Sequence, residues 1–243
     1  MIARSFVAAA VLAAAAHVSA DTLAEMKSAL RGLHPKQPIR ATYETKSTNV
    51  ARGKFFDQDA SGAGSVEARL DDDGLTITYP RAVLDRAMLQ RRAKKDPKAT
   101  RVAEVSATHL AELLDYAPVL ASILDRASVV EEHAATVDSQ PARLIILDIR
   151  KEEQPEIKSG HFDVKLDRLS LWIGADGLPL LSEHVSKFVG GILFLKAEGT
   201  LKEKLIFARR DDRLIVLRLE HTDSSSGMGQ TSNNSETETI TLR

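Results

Sequence analysis

The alternation from Leu193 to Phe207 constrains the fold more than any other stretch of this chain. Leu193, Leu195, Ala197, Gly199, Leu201, Leu205 and Phe207 share one parity, while Lys196, Glu198, Thr200, Lys202 and Lys204 share the other. Period two means a strand with one aliphatic and one charged face. About fifteen residues exceeds the usual strand of about five or six, so this one must twist or bend, with Gly199 the natural place. Glu203 alone breaks the apolar parity.

Neighbouring segments read as the rest of the same antiparallel sheet. Leu169, Leu171 and Ile173 alternate with Ser170 and Trp172. Asp176-Gly177 suits a two-residue hairpin turn, which would set Ile173 opposite Leu180, Leu171 opposite Ser182 and Leu169 opposite His184. Gly190-Gly191 marks the next corner and Arg210-Asp211-Asp212 another, after which Arg213 to Glu220 returns. Upstream, Ile39 to Asn49 and Lys54 to Asp57 read as strands, followed by a Ser/Gly loop at Ala60 to Gly64. Val66 to Leu70 and Leu75 to Tyr79 form a hairpin; with Asp73-Gly74 as its loop, Leu70 faces Ile77 and Ala68 faces Tyr79. Val129 to Val137 and Arg143 to Ile149 are joined through Asp138-Ser139-Gln140-Pro141. Leu144 to Leu147 is apolar on both parities, which predicts cover on both faces. A loop over Ser224 to Ser235 precedes a last strand at Thr237 to Leu242.

Helical periodicity appears in two places. Thr22-Leu23-Ala24-Glu25 is a capping-box sequence, and Leu23, Met26, Leu30 and Leu33 follow as one apolar stripe. That stripe is suited to closing one end of the sheet, since its polar face offers only Lys27 and Arg31 to an anionic membrane. From Arg81 to Asp125 the chain turns helical again. Leu110, Leu113, Leu114, Leu120, Ile123 and Leu124 are its apolar set, starting after Ser106 or Thr108. Pro118 either kinks one helix or opens a second, and the layer is either fixed core or a movable lid. Arg86, Arg91, Arg92, Lys94 and Lys95 belong to a basic block that is either a solvated surface or a dock for an acidic membrane surface or envelope protein.

Residues 1–20 read as a secretory signal peptide: Arg4, an apolar run from Phe6 to Ala16, and a small-x-small site at Val18-Ser19-Ala20. The apolar run is too short to span a bilayer, so the expectation is a periplasmic domain over residues 21–243, with its helical segment at 81–125. Cysteine is absent, which excludes disulfides, thiolate metal sites and a cysteine nucleophile. A formal net charge of −1 gives no overall drive toward nucleic acid. Seven histidines are scattered without metal-site spacing, and no nucleophile elbow or phosphate loop occurs. Glu131 and His133 share a strand face, and Asp71-Asp72-Asp73-Gly74 reads as a turn, not a calcium loop. No catalytic residue, metal ligand or cofactor is assigned.

Three features together resemble a known family: Leu171-Trp172-Ile173 with Gly177-Leu178-Pro179-Leu180, the strand entry Gln140-Pro141-Ala142-Arg143-Leu144, and the export signal before a capped helix. The chain looks like the periplasmic lipoprotein-carrier superfamily, the LolA/LolB-like fold also found in RseB-type regulators. The resemblance implies an α+β fold, a long curved antiparallel sheet or incomplete β-barrel wrapped around a few covering helices. It also implies an aliphatic cavity for acyl chains. Leu70, Leu75, Ile77, Tyr79, Leu193, Leu195 and Leu201 would line it from the sheet, and Leu113, Leu114 and Leu120 from the helices. The expected role is a non-catalytic carrier or chaperone for a lipid, lipoprotein or other hydrophobic ligand. The alternative is an envelope protein-interaction module, a sensor or assembly factor, whose helices fill the sheet completely.

Overall fold

A computed structural model describes residues 22–54, 56–92, 105–149, 161–192, 195–227 and 229–243. Residues 1–20, where the signal peptide is expected, lie outside them. Ten strands form one antiparallel sheet: β1 (Ile39–Gly53), β2 (Phe56–Asp71), β3 (Gly74–Thr78), β4 (Ala127–Val137), β5 (Gln140–Ile149), β6 (His161–Ile173), β7 (Pro179–Ile192), β8 (Leu195–Arg210), β9 (Arg213–Gly227) and β10 (Gln230–Leu242). Their order across the sheet is β3-β2-β1-β10-β9-β8-β7-β6-β5-β4, so the sheet stays open, a curved incomplete barrel. Four helices are seen among the described residues: α1 over 22–31, α2 (Arg81–Arg92), α3 (Ala107–Leu114) and α4 (Ala117–Asp125).

Connectivity explains where the helices lie. The chain leaves the sheet at edge strand β3 and re-enters at the opposite edge, β4. The segment between must cross a whole face, and α3 and α4 are laid across it against β9, β3 and β4. Ser106 caps α3 by accepting a hydrogen bond from His109 N at 3.3 Å, and Pro118 lies in the first turn of α4, so the proline separates two helices. The face they cover carries Ile39, Ala41, Tyr43, Val66, Ala68, Leu171, Ile173, Leu205, Phe207, Leu214 and Val216, which with Leu110, Leu114 and Leu124 form the core. Tyr116 N donates to Leu214 O at 2.7 Å, and Arg213, only 7% exposed, reaches both Asp115 and the Gln37 carbonyl. At the other edge, Thr22 donates to Glu132 and accepts from Arg143, which also holds Glu25. The expected capping-box pair thus ties α1 to β4 and β5.

Several expected boundaries shift, each for a long-range reason. The Ser/Gly stretch at Ala60 to Gly64 is strand, because β1 pairs with it through Ser47–Gly62 and Thr45–Gly64. Ser224 to Gly227 likewise extends β9, paired to both β8 and β10. The β2–β3 loop is Asp72-Asp73, with Leu70 opposite Leu75 and Ala68 opposite Ile77; a two-residue shift leaves every side chain on its expected face. Leu171–Ser182 and Leu169–His184 pair as expected, but Ile173 meets Pro179. Leu178 dives into the core at 4% exposure, and the longer loop and a bulge beside Ile173 absorb it. On β5 only one parity is fully covered, Ile145 and Leu147 at 0%, while Leu144 and Ile146 are half-buried. At Gly199 the Phe188 ring lies where a Cβ would stand, so a larger residue at that rung would have to displace the ring.

Candidate functional site

Inward-facing positions divide the sheet into two halves of different chemistry. In the half nearest the Asp211-Asp212 turn they are aliphatic and sit under α1, α3 and α4. Beyond Leu205 and Leu219 the same parity becomes polar on β9, β10 and β1, whereas β8 carries Glu203 and then Leu201, Gly199 and Ala197, and β7 carries His184 and Ser186 and then Phe188. One row of directly paired inward positions reads Ser47 on β1, Glu236 on β10, His221 on β9, Glu203 on β8 and His184 on β7. The next row outward reads Asn49, Asn234, Asp223, Leu201 and Ser186.

Carboxylates and imidazoles in this half hold each other in place. His184 Nε2 lies 2.5 Å from Asp167 Oδ1 on β6. His221 Nε2 is 3.5 Å from Asp223 Oδ1, and its Nδ1 is 4.0 Å from Glu203. Asn234 donates to Asp223 at 3.1 Å, and the Thr45 hydroxyl donates to Glu236 at 3.0 Å. Glu238, its side chain 8% exposed, meets His109 Nε2 at 2.9 Å and marks the boundary with the helices. The hydrogen bond to Glu238 raises the His109 pKa above the ordinary histidine value, against the opposing effect of burial. Tyr43 bonds the same carboxylate, and burial first, then Glu238, push its phenol far up, so it remains a donor.

Around this boundary is a cavity of about 340 Å³ lined by Thr45, Ser47, Ser106, His109, Glu236 and Glu238, among others. Five carboxylates face this half, from Asp167, Glu203, Asp223, Glu236 and Glu238. Among the described inward positions of β1 and β7 to β10 in this half, no lysine or arginine occurs. Strand alternation sends Lys187, Lys202 and Lys204 to the opposite face. The inner surface is therefore electronegative and rich in acceptors, suited to ammonium or guanidinium groups.

The residues expected to line a cavity are spread over the core, the β2–β3 edge and the inner face of β8. Leu113, Leu114 and Leu120 are 1%, 0% and 2% exposed, inside the packed core. Leu70, Leu75, Ile77 and Tyr79 are partly buried and pack against that core from the β2–β3 edge. Leu201 stands between Ser186 and Asp223 in the outer polar row. Leu193 and the side chain of Leu195 lie outside the described residues. Of the basic block, Arg86 and Arg92 are exposed on α2, Arg91 is in the same helix, and Lys94 and Lys95 lie outside the described residues. Glu131 and His133 form an exposed pair at 3.0 Å. The sequence reading missed His109, Glu236 and Glu238. The available signal was parity, since both glutamates share the inward side of Ile240 and Leu242.

An open ten-stranded antiparallel sheet curled around helices, with a filled half and a polar half, is the class of protein these observations define. No family model and no curated protein matches the chain. Among solved structures, a DUF1329 family protein from Desulfovibrio piger aligns over 91% of this chain and 91% of its own length, at 8% identity and a TM-score of 0.31. MucB in complex with MucA(peri) aligns over 92% and 94%, at 8% identity and a TM-score of 0.19. No helix among the described residues is long and apolar enough to cross a membrane.

Proposed function

We propose that the chain is a non-catalytic interaction module of the periplasm that holds a cationic stretch of a protein partner on the uncovered half of the sheet's inner face. The observation that carries this reading is the division of that face. Its apolar half is occupied by the chain's own leucines, and its accessible half is lined by carboxylates, histidines, serines and asparagines around Leu201 and Phe188. A basic segment laid along the rows through Glu236, Glu203 and Asp223 would find acceptors at strand spacing, with the His109–Glu238 pocket at one end. The lipid-carrier reading has less support. An acyl chain would need α3 and α4 to lift from β9, opening the His109–Glu238 and Arg213–Asp115 contacts and exposing Leu110, Leu114 and Leu120.

The test sets the two against each other on one preparation. The processed protein is examined by native mass spectrometry for co-purifying lipid, then titrated with a fluorescent fatty acid and with labelled Lys/Arg-rich and Glu-rich peptides of equal length. The expected result is no stoichiometric lipid, no saturable fatty-acid uptake, and salt-sensitive binding of the basic peptide only. Glu203→Gln with Glu236→Gln should weaken that binding about tenfold or more, since each lost charge pair at a partly exposed site is worth about 1 kcal/mol. A bound lipid at one per chain, or equal affinity for both peptides, would overturn the proposal.

A further inference from the structure

The exposed face of α2 goes beyond the site just described. Six large apolar side chains among the described residues are substantially exposed, and three of them, Leu84, Met88 and Leu89, belong to this one helix at 39%, 52% and 65%. Val83 and Ala87 face inward: Ala87 is 7% exposed and Val83 packs against the core, so among the described residues this side fixes the helix to the body. At about 100° per residue, Leu84, Met88, Arg81, Arg92, Asp85 and Leu89 fall on one outward arc of about 140°. Its apolar members are therefore contiguous with its charges, unlike the scattered exposed apolar residues of an ordinary surface.

Charge on α2 is predominantly positive. The twelve residues carry four arginines against a single acid, Asp85, which pairs with Arg81 at 3.2 Å. Apolar groups that stay in contact with water while flanked by arginine stems match one environment well. In an anionic bilayer surface the leucines and methionine enter the acyl boundary, and the arginines extend upward to the phosphates. A protein groove of similar size would bury the arginines and require a paired carboxylate for each. We propose that α2 is a peripheral docking surface for an anionic lipid bilayer, lying in the interface plane with Leu84, Met88 and Leu89 as the inserted residues and its arginines as the headgroup contacts. This inference is independent of the peptide site, which lies on the inner face of the sheet.

The experiment is vesicle flotation with the processed protein. Vesicles of phosphatidylcholine alone are compared with vesicles carrying about one-third phosphatidylglycerol, each at low and high salt. Partitioning should favour the anionic vesicles at least tenfold and fall with added salt. Arg92→Gln, which removes the arginine of the outward arc that has no acid paired to it in the helix, should reduce it about fivefold, the gain of one basic residue near the surface. Leu84→Ser with Met88→Ser and Leu89→Ser should abolish flotation with little change in thermal midpoint, because these side chains are already exposed. A circular dichroism melt of each variant separates lost docking from lost folding. Equal partitioning to both vesicle types, no partitioning to either, or undiminished flotation of the folded triple-serine variant would overturn the proposal. Recovery of the same surface only against a soluble protein partner would also overturn it.

Discussion

Glu203 interrupts seven apolar residues of one parity in the C-terminal stretch, and in the sheet it stands between His184 and His221. A single charge on an otherwise aliphatic strand face marks where the covering helices stop. His109 works from the other side of that boundary, where its imidazole is held by the almost buried Glu238. Because its folded pKa is raised above 6.5, its stabilising contribution is complete below about pH 6.5 and is lost as pH rises through the folded value. The stability difference between the wild type and His109→Gln, measured by urea denaturation, should therefore be largest under mildly acidic conditions and shrink toward alkaline pH. A difference that grows with pH would contradict the assigned pairing. His184 was legible from sequence as the residue opposite Leu169, and the sheet pairs them so. His109 was not legible, because its partner is 129 residues away.

At the scale of elements, the hairpin turns show local chemistry and long-range pairing competing. Asp138-Ser139 and Asp211-Asp212 close two-residue turns with both residues at positive φ, 48° and 67° in the first and 49° and 59° in the second. Such turns match strand twist but favour glycine or asparagine. Ser139→Gly should therefore stabilise the β4–β5 hairpin by up to about 1 kcal/mol, seen as a higher thermal midpoint. Asp212→Gly should do the same for β8–β9. An unchanged or lowered midpoint in both would show that the side chains, not the backbone angles, hold these turns. Turn residues announced these corners correctly, whereas Ala60 to Gly64 and Ser224 to Gly227 look like loop and are ladder. In both, paired neighbours on the sheet supply the hydrogen bonds that local composition would forgo.

At the scale of the molecule, the ten strands of the described residues form one continuous sheet that shares a single core with α1, α3 and α4. Unfolding followed at Trp172, the only tryptophan, should coincide with the loss of far-ultraviolet dichroism from the whole chain. Leu120→Ala, which removes a side chain 2% exposed between helix and sheet, should shift both curves together by about 2–5 kcal/mol. Separated transitions would instead reveal a helical layer that detaches by itself, as a lid must.

Period-two alternation and turn residues were enough to determine a long curved antiparallel sheet with helices beside it, because those signals act between near neighbours, while Pro118 marked a break that could be a kink or a second helix. Local sequence could also assign each strand its apolar face, since a two-residue error in register leaves every side chain on the same side. Only the tertiary structure decided what that face encloses. The chain must pass from edge strand β3 to edge strand β4, and this crossing lays α3 and α4 over one half of the face. There Leu113, Leu114 and Leu120 become core, while Glu203, His221, Glu236 and Glu238 are left beside open space. Whether an inward position is filled or accessible depends on which distant segment reaches it, and no pattern within a single strand records that.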